Sequence, residues 1–76
     1  MEKVVEILKG IRPEFDFVQS QDFIADGMLD SFDMVTLVSQ LDKTFGISIA
    51  GVDIVPENFR NLTTIEALLR KHGAKL

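Results

Sequence analysis

No cysteine occurs in the 76 residues. That absence excludes a disulfide framework, a zinc site of the cysteine type and a thiol nucleophile within the chain. A domain this short lies near the lower limit for a self-standing core, and without such staples it has to depend on well-formed helices. Basic residues are also few. Eight Lys and Arg stand against twelve Asp and Glu, for a formal net charge of −4. Nucleic acid is gripped by clustered Lys and Arg, so it is not an expected partner, whereas basic protein surfaces are. No apolar run approaches the length needed to span a bilayer. Met1–Gly10 alternates in charge and lacks the apolar stretch of a signal peptide, so a cytoplasmic protein is expected. What is present in quantity is apolar side chain, 46% of residues, enough for one packed domain over residues 1–76.

Val4, Ile7, Leu8 and Ile11 fall on one helical stripe, with Gly10 and Pro13 as stop signals. From Pro13 to Leu29 no period holds, yet Phe15, Phe17, Val18, Phe23, Ile24, Met28 and Leu29 supply anchors, so this long connection is expected to pack on the domain. A second helix begins after Asp30. Asp30 is a good N-cap and Asp33 sits at N3, where a carboxylate suits the positive helix end. Met34, Leu37, Val38, Leu41 and Phe45 continue its apolar stripe, with Phe32 and Val35 expected to widen it, and Gly46 supplies the left-handed residue that ends it. Ile47–Ile54 reads as an extended link, because a lone hairpin has no third strand to support it. Pro56 opens a short turn through Phe59. Thr63 and Glu66 match a T-x-x-E capping box for a last helix whose face is Ile65, Leu68 and Leu69, closed by Lys71, His72 and Gly73. The expected fold is all-α: three main helices and a short one in a small four-helix bundle.

Ser31 is the residue of interest, at the first position of the best-defined helix. A hydroxyl there projects to solvent where amide groups and dipole favour an anion. By position alone it is equally an ordinary first-turn serine. The surrounding Met28-Leu29-Asp30-Ser31-Phe32-Asp33 is not G-x-S-x-G. The only histidine, His72, lies in the last turn of the last helix, and no lysine lies in Asp30–Asp42 to act as base. Ser31 therefore reads as the substrate of another enzyme, and catalysis by the chain itself is not expected. A calcium loop is the competing motif. Asp22, Asp26, Gly27, Leu29 and Asp33 match EF-hand positions 1, 5, 6, 8 and 12, but Ile24 replaces the oxygen ligand at position 3 and Asp33 stands where a bidentate Glu belongs. The rival reading is accordingly a small calcium-binding or purely structural helical protein; no metal site is assigned. Asp22, Asp26, Asp30, Asp33 and Asp42 form either a docking surface for basic partners or a set of caps and solvated charges.

Taken together, Asp26-Gly27-Met28-Leu29-Asp30-Ser31-Phe32-Asp33 resembles the attachment motif of the acyl carrier protein family. Val35, Leu37, Val38, Leu41, Phe45, Gly46, Ile47 and Ile49 are similar to that family's second helix and following loop. Pro56-Glu57-Asn58-Phe59 and Thr63-Thr64-Ile65 are similar to its short third and last helices. The resemblance implies a four-helix carrier bundle in which Ser31 holds a 4′-phosphopantetheine arm. A phosphopantetheinyl transferase installs the arm from coenzyme A, with magnesium on the transferase side. The arm's thiol then carries an acyl or aminoacyl group as a thioester, which accounts for a working thiol in a chain without cysteine. The resemblance also gives Asp30 a contact with the transferase as well as its cap. It implies further partners: a loading acyl or aminoacyl ligase and acyl-transferring enzymes, with the carrier itself a monomer. The expected partner-binding residues are Met28, Asp33, Met34 and Asp42, with the Val52–Val55 link as a further apolar contact. The wording around Ser31 is closer to stand-alone carriers, D-alanyl carriers among them, than to peptidyl carriers. Thr36, Ser39, Gln40 and Lys43 occupy a surface that is rich in Glu in fatty-acid carriers.

Overall fold

Val4 and Leu8 are completely buried on one side of the first helix, α1 (Glu2–Ile11), as the stripe requires. This computed structural model describes residues 1–76. Gly10 does not stop α1; it lies inside the helix, exposed. Termination falls to Pro13. A residue before proline is pushed out of the helical region, and Arg12 accordingly turns to φ −134° and ψ 79° while its N–H still donates to the Leu8 carbonyl.

The connection from Arg12 to Asp30 packs on the domain. Phe17 and Phe23 are completely buried, their rings meeting edge to face with centroids 5.0 Å apart. Asp22 organises the next turn, its Oδ1 accepting the N–H groups of Ile24 and Ala25 at 3.1 and 3.0 Å. Gly27 takes a φ of +70° at the bend, and the Met28 N–H donates to the Phe23 carbonyl. The Cα radius of gyration is 11.1 Å, matching the about 11 Å expected of a compact chain this long. The connection therefore adds no extended lobe.

The second helix, α2 (Ser31–Phe45), packs against α1 and buries Met34, Leu37, Val38 and Leu41. Phe32 and Val35 do not widen the stripe; they are 84% and 61% exposed. The 3.6 period explains this. Relative to Met34, Phe32 lies about 160° and Val35 about 100° round the helix, away from the core arc. Gly46, with φ 65°, closes α2.

Ile47–Val55 contains no strand. It is extended at first and then takes a 3-10 turn at Gly51–Asp53, so the expected link is only partly extended. Ile49 is buried, and its N–H is held by Asp42 Oδ1 at 3.0 Å. The expected short helix is a second 3-10 turn, Pro56–Phe59, which buries Phe59 and packs against the last helix.

That last helix, α3 (Leu62–Lys71), has its cap two residues before the expected box. Its N-cap is Asn61, whose Oδ1 accepts the Thr64 N–H at 2.9 Å while Thr64 Oγ1 accepts the Asn61 N–H at 3.2 Å. Thr63 is exposed, and Glu66 pairs with Arg70 one turn on. Asn is among the strongest N-caps, and here its side chain also donates to the Gln21 carbonyl, so tertiary structure favours Asn61 over Thr63. The fold is thus all-helical, three α-helices and two 3-10 turns around one core. No helix is long and apolar enough to cross a membrane.

Candidate functional site at the start of the second helix

The start of α2 is built by two aspartates three residues apart. Asp30 Oδ1 accepts the Asp33 N–H at 2.9 Å, and Asp33 Oδ2 accepts the Asp30 N–H at 3.1 Å. Both carboxylates satisfy amide groups that a helix start leaves without partners. Ser31 is the first residue inside this box and is exposed. Its hydroxyl therefore stands on fixed backbone, at the positive end of a 15-residue helix, where an attached anionic phosphodiester is favoured.

A cation from elsewhere in the chain completes the arrangement. Arg12, at the end of α1, donates from Nε to Asp33 Oδ2 at 2.9 Å and from Nη2 to Asp30 Oδ2 at 3.4 Å; its Nη1 lies 3.7 Å from Glu14. Bonding to Asp33, then its charge, raises the Arg12 pKa above its ordinary value. The Asp33 N–H holds the Asp30 carboxyl below its ordinary value against an opposing effect of burial, and the Arg12 charge lowers it further. Sequence reasoning missed Arg12. Nothing local marks it, since its partners are 18 and 21 residues away.

The other residues singled out from the sequence are dispersed. Met28 and Met34 are buried at 6% and 7% exposure, and Asp33 is buried as the hub of the box. Asp42 is half-buried and ties Ile49 to α2. The calcium motif does not assemble. Asp22 serves loop amides, Asp26 accepts from the Ser20 hydroxyl, Asp33 is taken by Arg12, and Ile24 packs against the core. No group of acidic or histidine side chains is arranged to hold a metal ion. His72 is engaged elsewhere, its Nε2 accepting the Ala50 N–H at 3.2 Å and its Nδ1 lying 3.0 Å from the Leu68 carbonyl. None of the four surface depressions is lined by Ser31. Ser31 is thus an exposed hydroxyl on a capped helix start, outside every surface depression.

An all-helical bundle that presents a serine on a capped helix start is the architecture of a carrier domain. The family model described as phosphopantetheine attachment site matches residues 2–71, and the chain belongs to that family. Aminoacyl carrier protein 1 of Bradyrhizobium diazoefficiens is 30% identical over 70 residues, an alignment covering 88% of this chain and 78% of that protein. No solved structure gives a significant match. The chain is thus a carrier protein of the phosphopantetheine type, not an enzyme, and its cofactor is phosphopantetheine. The residues present fit that group: an exposed hydroxyl for the ester bond and a helix end for the phosphodiester.

Proposed function

We propose that Ser31 is the attachment residue and that the arm holds an acyl or aminoacyl group as a thioester for transfer between partner enzymes. The observation that carries this is the placement of an exposed Ser31 as the first residue of α2, inside the Asp30–Asp33 box. The name of the Bradyrhizobium relative favours an aminoacyl cargo. A phosphopantetheinyl transferase using coenzyme A installs the arm, and Asp30 contacts that enzyme. An acyl or aminoacyl ligase loads the thiol, and acyl-transferring enzymes unload it. Residues 1–76 act as one monomeric domain, in the cytoplasm.

The partner-binding surface in this reading is the outer side of α2 next to Ser31. Phe32 and Val35 give it exposed apolar area, and Thr36, Ser39, Gln40 and Lys43 share its exposure. Asp33 and Met34 hold the helix that bears it, Met28 anchors the loop before it, and Asp42 fixes the link beyond it. Those outer positions carry no carboxylate, which favours partners that make apolar contact over partners that read a strongly acidic helix.

The test of cargo is direct. The phosphopantetheinylated chain is incubated with an aminoacyl ligase, ATP and amino acid, and its intact mass is followed before and after neutral hydroxylamine. The reading expects one aminoacyl group per arm, released by hydroxylamine as a thioester is. Loading of the chain that lacks the arm, or a hydroxylamine-resistant bond, contradicts it.

A further inference from the structure

We infer that Arg12 is a positioning residue for the modification of Ser31. It would lock the capping box that presents the hydroxyl and offset the negative charge that the box places beside it. This deepens the function proposed above and rests on Ser31 being the attachment residue.

The contacts form a closed ring. Arg12 Nε reaches Asp33 Oδ2, the same oxygen accepts the Asp30 N–H, and Arg12 Nη2 reaches Asp30 Oδ2. Ser31 lies within this ring's span, between the two aspartates in sequence. The backbone that sets its direction is therefore held from two sides: by the reciprocal Asp30–Asp33 bonds and by a guanidinium anchored to the end of α1. Arg12 is itself constrained. Its N–H still donates to Leu8 at 2.9 Å, and Pro13 fixes the chain beyond it. The side chain is 35% exposed, so its charge is felt at the surface as well as within the ring.

The chemistry gives this arrangement a task. The Ser31 oxygen attacks the pantetheine-side phosphorus of the coenzyme A pyrophosphate. A bond forms from Ser31 Oγ to that phosphorus, and the bond from it to the bridging oxygen breaks. Adenosine 3′,5′-bisphosphate leaves with the electron pair, and the hydroxyl proton passes to a base on the transferase. The incoming pyrophosphate is an anion, and it meets a serine flanked by two carboxylates. Like charges side by side disfavour that approach, and a cation bonded to both carboxylates reduces the repulsion. A planar guanidinium can bond to two carboxylates at once, whereas an ammonium on a flexible stem provides the charge without the fixed fork.

The experiment measures transfer from coenzyme A by a broad-specificity phosphopantetheinyl transferase, with saturating coenzyme A and varied carrier. Wild type, Arg12→Lys and Arg12→Gln are compared well below their melting temperatures, with the folded fraction of each taken from circular dichroism. Arg12→Gln is expected to lower kcat on folded carrier by about tenfold to a hundredfold, the range for a misplaced reacting group. Arg12→Lys should recover part of that loss. A purely structural role predicts something else: kcat unchanged, with apparent KM rising only as the folded fraction falls. That result, or equal kcat and KM in all three proteins, overturns the inference. Modification of the wild type at a residue other than Ser31 overturns the attachment reading instead, and the two failures are told apart by mapping the modified residue.

Discussion

Asp30 and Asp33 cap the same helix start reciprocally, each side chain accepting the other's backbone N–H, at 2.9 and 3.1 Å. The relationship predicts an acid dependence. The folded Asp30 carboxyl lies below its ordinary value of 3.8, held there chiefly by the Asp33 N–H. A depressed folded pKa stabilises the fold fully above the unfolded value and loses that contribution as pH falls through the folded value. Asp30→Asn keeps an acceptor for the cap but removes the charge. The melting-temperature difference between wild type and Asp30→Asn should therefore be larger at pH 7 than at pH 3. An equal difference at both pH values would mean that the charge of Asp30 contributes nothing to the box.

The core assignment is tested at Leu41. It is completely buried in the middle of α2, so Leu41→Ala should cost about 2–5 kcal/mol. Chemical denaturation measures this. A change below about 0.5 kcal/mol is what surface positions show, and would contradict the buried face.

The true start of α3 is tested by a pair of substitutions. Asn61→Ala should destabilise the protein by about 0.5–2 kcal/mol, the usual cost of a lost N-cap. Thr63→Ala, at an exposed position past the cap, should stay within about 0.5 kcal/mol of wild type. The reverse order in a thermal or denaturant series would restore Thr63 as the cap.

These positions also show how far the sequence could be read. Asp30, Asp33 and Gly46 announce α2 by local chemistry alone, and the structure has each in its expected role. Asn61 and Thr63 both offer a capping oxygen with a plausible partner three residues on. Asn61 also reaches outside the helix, its side chain donating to the Gln21 carbonyl 40 residues away in the chain, a contact that no local pattern contains. Phe32 and Val35 are apolar in type but sit off the stripe in angle, so the period of the helix already held the answer that their hydrophobicity obscured. Arg12 was beyond reach, because its meaning depends on α1 and the start of α2 being brought together by packing. The position of Ser31 as the first residue of α2 was legible because its neighbours on both sides belong to one short motif.

The proposed function makes the outer side of α2 the surface that selects partners. Thr36, Ser39, Gln40 and Lys43 are all exposed there. Enzymes that recognise a strongly acidic second helix should therefore use this carrier poorly. Exposed ion pairs are worth about 0.2–1 kcal/mol each, so several missing together reach the roughly 1.4 kcal/mol that equals tenfold in affinity. Thr36→Glu with Lys43→Glu should improve turnover by a fatty-acid synthase transacylase, whereas Phe32→Ser should impair the natural partner with little change in melting temperature. If the unaltered chain already matches a standard fatty-acid carrier and the paired substitution changes nothing, charge on α2 does not select the partner.

The central claim is that Ser31 bears the arm, and site-mapped intact mass after incubation with coenzyme A and a phosphopantetheinyl transferase tests it most directly. Wild type should gain one phosphopantetheine group, located on Ser31. Ser31→Ala should gain none while keeping the helical circular dichroism of the wild type, since the exposed hydroxyl is no part of the core. The account is contradicted if the folded Ser31→Ala variant still takes up the group, or if the wild-type modification maps to Ser20, Ser39 or Ser48.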